Sequence, residues 1–232
     1  MKLNQSAFKL FVSGRYGSLL IALLVLIILQ PTVDTLAGKY LLEAIFIGIL
    51  FAGLRAIETR KGLLRFEALL LLVSLTLYAA GILLGHEELF FLSIAGRTLF
   101  MVLISWAILI NLFRAHSVSS DTLAGAVCVY LLIAVVFGHC FMLIEFLVPS
   151  SFSFTIGQAR THLWVSHEFY PFYYFSMVTM TTIGYGDIVP VSTVARTFAT
   201  MEGVLGQVYL TILVARLVGM HLLHQQEKGA QE

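Results

Sequence analysis

Residues 179–187 read Thr179-Met180-Thr181-Thr182-Ile183-Gly184-Tyr185-Gly186-Asp187. Glycines at 184 and 186 can take backbone angles closed to other residues. Alternating such residues with ordinary ones lets successive carbonyls point the same way, so one strand offers a row of oxygens. Several strands around an axis would stack those oxygens into cages able to replace an ion's water shell. The Thr182 hydroxyl adds an oxygen at the inner end. One chain supplies one strand, so a cage requires several chains. Just before this stretch, Phe169-Tyr170-Pro171-Phe172-Tyr173-Tyr174-Phe175 predicts a short helix of about 13 residues, with Pro171 in its first turn. That helix aims its negative C-terminal end at the cavity below, which favours a cation there.

The rest of the chain says what surrounds this stretch. Of 232 residues, 59% are hydrophobic and 12% charged, with mean hydropathy +0.93. Soluble domains carry about 25% charged residues, and one core could not hide so much apolar surface. The composition excludes a water-soluble globular enzyme, a disordered chain and a nucleic-acid binder. It points to a chain whose solvent is the bilayer. A helix of about 20 Å is too short to cross that bilayer, so the segment before Thr179 must enter and return. Non-helical backbone at such depth survives only inside protein or beside a water-filled path.

Six apolar segments are long enough, or nearly so, to span: about 16–30, 39–57, 63–84, 88–113, 118–148 and 191–223. The first is the shortest by apolar count. It resembles a signal peptide, but Asp34-Thr35-Leu36-Ala37 is a poor cleavage site, so it is expected to be retained. Lys2, Lys9, Arg15, Arg55, Arg60, Lys61, Arg65, Arg114, Arg216 and Lys228 fall on one side, and Asp34, Glu87, Glu88, Glu145, Glu168 and Asp187 on the other. Excess Lys and Arg marks the cytoplasmic face, so both termini are expected inside, and the small size with no organelle address leads to the expectation of a prokaryotic plasma membrane. Cys128 and Cys140 lie 12 residues apart in one segment, about 18 Å along a helix, too far to pair.

The stretch TMTTIGYGD resembles the selectivity filter of tetrameric potassium channels, TxxTxGYGD, and the resemblance extends over the last half of the chain. It implies an all-α membrane protein with six transmembrane helices, a re-entrant pore helix and filter loop between the fifth and sixth, and a homotetrameric pore. The implied function is passive, potassium-selective conduction, with carbonyls of Thr182, Ile183, Gly184 and Tyr185 lining the K+ sites and Gly186 and Asp187 at the outer mouth. K+ is then a permeant ligand, and no cofactor is implied. Many members carry a Trp-Trp pair where Tyr174-Phe175 stands here, so Tyr174 is expected to donate to Asp187, and Tyr185 to seek Thr179. Val178 replaces the buried Glu of some bacterial members. Gly206 falls where the family's hinge glycine lies, with Gly203 one turn earlier. Gln207, Leu210, Val214 and Val218 share a face expected to line the cavity and gate. Glu202, ionisable at depth, is a brace or a functional group.

The implied division is a peripheral four-helix unit (1–115), a pore domain (116–224) and a short tail (225–232). The six-helix plan resembles voltage-gated members, but the fourth helix carries Arg97 alone until Arg114. One charge is worth about 2.3 kcal/mol per 100 mV, so steep voltage sensing is not expected. Glu43 is the expected partner of Arg97. The tail is too short for a soluble ligand-binding domain. His86, Glu87, Glu88, His162, His167, His221 and His224 are expected to be solvated. His139 with Glu145 is the nearest approach to a catalytic pair and does not share a helix face, so no enzyme is expected. The alternative to a conducting homotetramer is a non-conducting regulatory or assembly subunit.

Overall fold

The structure, a computed structural model, describes residues 14–29, 41, 44–49, 51–53, 61–115, 119–155 and 170–229. Its helices are α1 (Gly17–Leu29), α2 (Lys61–Leu84), α3 (Glu87–Arg114), α4 (Ser120–Leu147), α5 (Tyr170–Met180) and α6 (Thr193–Gly229), with residues 44–49 and 51–53 also helical. Two strands, β1 (Phe152–Phe154) and β2 (Ile188–Pro190), form a short antiparallel ribbon. Among the described residues, Glu87–Arg114, Ser120–Leu147 and Thr193–Arg216 are long and apolar enough to cross a membrane. The apolar helices mark a multi-pass membrane protein.

The boundaries follow local chemistry. Ser119 caps α4 by accepting from the Thr122 amide at 3.1 Å, satisfying one donor that the first turn leaves open. Glu87 and Glu88 in the first turn of α3, and Arg114 in its last, complement the helix dipole. α6 runs 37 residues, about 55 Å. It continues past the apolar segment because its terminal Gln, Glu and Lys residues are good helix formers.

α2 packs along α3, α3 along α4, and α4 against α1, α5 and α6. α4 is therefore the hub, with 61% of its apolar window buried against 11% for α6. Arg97 is buried in α3, its guanidinium 4.5 Å from the centre of the Tyr78 ring, a cation–π arrangement that compensates part of its desolvation. Its expected partner Glu43 lies outside the described residues, as do His162 and His167 and the side chains of Val218, His221 and His224. Glu67, which the sequence did not single out, is fully buried in α2, and neither of its carboxylate oxygens has a hydrogen-bond partner among the described residues. Cys128 and Cys140 are both free thiols.

Candidate functional site

The site is built on α4. Tyr130, Ala134 and Gly138 recur every four residues and so share one face. That face meets α5 in antiparallel register. The Tyr130 hydroxyl donates to the Met180 carbonyl at 3.2 Å, and the Ala134 carbonyl accepts from Ser176 at 2.6 Å. Gly138 admits the Tyr173 ring, since a Cβ there would lie 2.5 Å from Tyr173 Cδ1. Behind α5, Phe141, Phe152, Phe172 and Phe175 pack edge to face at 5.0–5.5 Å, a geometry aromatic quadrupoles favour. Phe175 thus supports the short helix by ring packing.

α5 is 11 residues long, about 16 Å. The chain then leaves the helix in a definite pattern. Thr182, Gly184 and Gly186 take φ of 60°, 58° and 78°, so every second residue is left-handed. The two glycines adopt this without steric cost. Thr182 is a non-glycine residue in a region that costs L-residues about 1–2 kcal/mol. The amides turn back onto the helix end: Thr181 N donates to Met177 O at 3.0 Å, Thr182 N to Thr179 O at 3.0 Å, and Ile183 N and Gly184 N to Val178 O at 3.0 and 3.4 Å. The carbonyls of Thr182, Ile183, Gly184 and Tyr185 accept no hydrogen bond among the described residues. The amides from Thr181 to Gly184 face the protein, and the carbonyls of residues 182–185 are left open.

The far end of the stretch is clamped. The Tyr174 hydroxyl donates to Asp187 Oδ2 at 2.8 Å, and the Ile188 amide donates to Oδ1 at 3.1 Å. Thr155 N donates to Asp187 O at 2.8 Å, beside the pairing of Phe154 with Ile188. Residues 155 and 187 therefore meet, and the segment between them starts and finishes at one point. Glu145 anchors this junction, its two oxygens accepting from Ser150 N at 2.9 Å and Phe152 N at 3.2 Å. Neither the ribbon nor the Glu145 clamp was read from the sequence. A three-residue strand carries too little pattern, and a carboxylate at a helix end reads as solvated.

The other residues fall as follows. Thr179 contributes its carbonyl to the Thr182 amide, and no bond joins it to Tyr185, whose side chain is 70% exposed. Glu202 is fully buried and touches Ser176. Gly206 is pressed against the end of α5, where a Cβ would lie 3.0 Å from Met180 Cγ and 3.2 Å from Met180 O; at Gly203 a Cβ would meet nothing within 4 Å. Gln207 and Val214 are exposed and Leu210 is half-buried. His139 is buried between the rings of Phe46 and Tyr173, apart from Glu145's clamp. Among the described residues no cluster of three or more His, Cys, Asp or Glu could hold a metal ion.

Comparison with known proteins falls on this same region. A protein family described as "Ion channel" matches residues 125–221, from early α4 through most of α6. A curated relative, "Two-pore potassium channel 4" of Arabidopsis thaliana, is 32% identical over 113 residues, which make up 49% of this chain and 35% of the relative. The chain thus spans about a third of that relative's length. No solved structure matches. The apolar helices point to a multi-pass membrane protein, and residues 125–221 of it are similar to ion channels.

Proposed function

We propose that this chain is the subunit of a homotetrameric, potassium-selective channel in which α4 is the outer helix, α5 the re-entrant pore helix, residues 182–186 the filter and α6 the inner helix. The observation that carries this reading is the alternating left-handed backbone at Thr182, Gly184 and Gly186, with the Thr182, Ile183 and Gly184 amides turned onto α5 and the carbonyls of residues 182–185 unengaged among the described residues. Such a strand, repeated about an axis, offers stacked oxygens in place of a hydration shell. K+ would be held at Thr182, Ile183, Gly184 and Tyr185. The relative's name is that of a potassium channel, and the Tyr-Gly-Asp ending favours potassium over sodium.

Assembly follows from surface chemistry. The chain has one filter stretch, so one subunit supplies one wall. Ile183 and Tyr185 are 52% and 70% exposed, and Met201, Val204, Leu205, Val208 and Ile212 leave a large apolar face on α6. Neighbouring subunits and lipid would cover that face. Gln207, Leu210, Val214 and Val218 would line the inner cavity, with Gly203 and Gly206 available as a hinge. With Arg97 of α3 seated on the Tyr78 ring of α2, the pore would open without steep voltage dependence. Both termini would lie in the cytoplasm.

Potassium flux from liposomes holding the purified protein tests the reading. Potassium-dependent flux that fails with sodium and is blocked by barium is expected. A four-fold assembly with no selective flux at any pH, voltage or tension would instead favour a non-conducting regulatory subunit.

A further inference from the structure

Behind the filter, three elements meet at one hydroxyl. Ser176 Oγ of α5 lies 2.6 Å from the Ala134 carbonyl of α4 and in hydrogen-bond contact with Glu202 Oε1 of α6. A serine hydroxyl carries one hydrogen, and a carbonyl can only accept. If Ser176 donates to a carboxylate at Glu202, the Ala134 contact holds two oxygens with no proton between them. If Ser176 donates to Ala134, the contact with Glu202 needs a proton from the other side. Both contacts are bonding only when the carboxyl carries it.

The surroundings agree. Glu202 has no exposed surface even in the single chain, and its second oxygen has no hydrogen-bond partner among the described residues. Among the described residues, the ionisable groups that sense its charge are Tyr130 and Cys140 of α4, both neutral when protonated. From α5 the Ser176 hydroxyl is its hydrogen-bond partner among the described residues. Among the described residues no cation pairs with it, and an isolated carboxylate in an apolar interior is costly enough to neutralise instead.

We propose that Glu202 is a neutral carboxylic acid whose proton is donated to Ser176, which in turn donates to Ala134, so that one relay fastens the inner helix to the pore helix and outer helix. Glu202 and Ser176 are then positioning residues. They hold the helix whose end carries Val178 and Thr179, the carbonyls that anchor the filter amides. The role deepens the channel reading and rests on it, but the proton does not.

Two measurements separate these levels. Infrared spectroscopy of the wild-type protein in lipid at neutral pH should show a protonated-carboxyl band that disappears in Glu202→Gln. Absence of a band assignable to Glu202 would overturn the relay whether or not the protein conducts. In flux and current-decay assays, Glu202→Gln, whose amide still donates to Ser176, should stay close to wild type. Glu202→Ala and Ser176→Ala should shift the balance toward the non-conducting state about tenfold, the equivalent of one buried hydrogen bond. A Glu202→Gln variant as impaired as Glu202→Ala would overturn the donor assignment. If Glu202→Ala fails to fold, the band and the Glu202→Gln comparison still decide. A Glu202 band in a wild-type protein without selective flux would overturn the channel reading and leave the protonated acid standing.

Discussion

The two faces of α5 and the stretch that follows it differ in how complete they are. The rear face is finished within one chain. Phe141, Phe152, Phe172 and Phe175 interlock, Tyr130 and Ser176 bond across to neighbouring backbone, and Glu202 is sealed from solvent. The front face is left open. Thr182 to Gly186 are all exposed, and their carbonyls, apart from that of Gly186, find no partner among the described residues. Unsatisfied backbone acceptors cannot face lipid. The contrast separates what one chain does by itself, holding a strand in an unusual shape, from what the proposed assembly and its ion would add.

The sharpest way to break that contrast is at the front. Gly184→Ala and Gly186→Ala put a Cβ on residues at φ of 58° and 78°. The strain is about 1–2 kcal/mol at each position and would recur in every copy of the proposed assembly. Potassium-selective liposome flux should be lost, while the helix content measured by circular dichroism stays unchanged. Unaltered flux would mean these angles do not shape an ion path.

The junction between the faces should respond next. Glu145→Ala leaves the Ser150 and Phe152 amides without their carboxylate. A loss of about 2–3 kcal/mol is expected, read as a lowered Tm of the protein in detergent. At the rear, the two α6 glycines should behave oppositely. Gly206→Ala drives a Cβ against the Met180 carbonyl and should destabilise by about 1–2 kcal/mol. Gly203→Ala meets nothing and should stabilise the helix by up to about 1 kcal/mol. Equal effects at both positions would argue against close packing at Gly206.

The smallest effect is expected at the outer mouth. Tyr174→Phe removes the 2.8 Å bond to Asp187 and leaves its bond to the Ile188 amide. About 1 kcal/mol is at stake, and current decay should quicken several-fold. Unchanged decay would show that this bond does not steady the filter.

Much of the helical layout was legible from the chain alone. The segments about 88–113 and 118–148 correspond to α3 and α4 within two residues at each end, because long apolar runs with capping and turn residues announce themselves. The short helix before Thr179 was legible too, from its length and its proline. At the site, Gly184 and Gly186 declared their backbone role, since glycine is the residue for which left-handed angles are free. Thr182 did not, because nothing in a threonine announces a positive φ. Glu202 stood out as an acid at depth, yet its partner Ser176 lies 26 residues away and no periodicity links them. Glu67 was passed over because a lone acid near a helix start reads as solvated.

By itself the sequence determined the solvent of this protein and the backbone freedom of its central stretch at Gly184 and Gly186. Both depend on composition and on the local freedom of glycine, which need no neighbours. Only the tertiary structure decided which amides turn inward, that residues 155 and 187 meet, and that α6 brings Glu202 onto Ser176. The last two are contacts between segments far apart in the chain. Helix packing sets them, and packing depends on the shape of the whole buried interior rather than on any one run of residues.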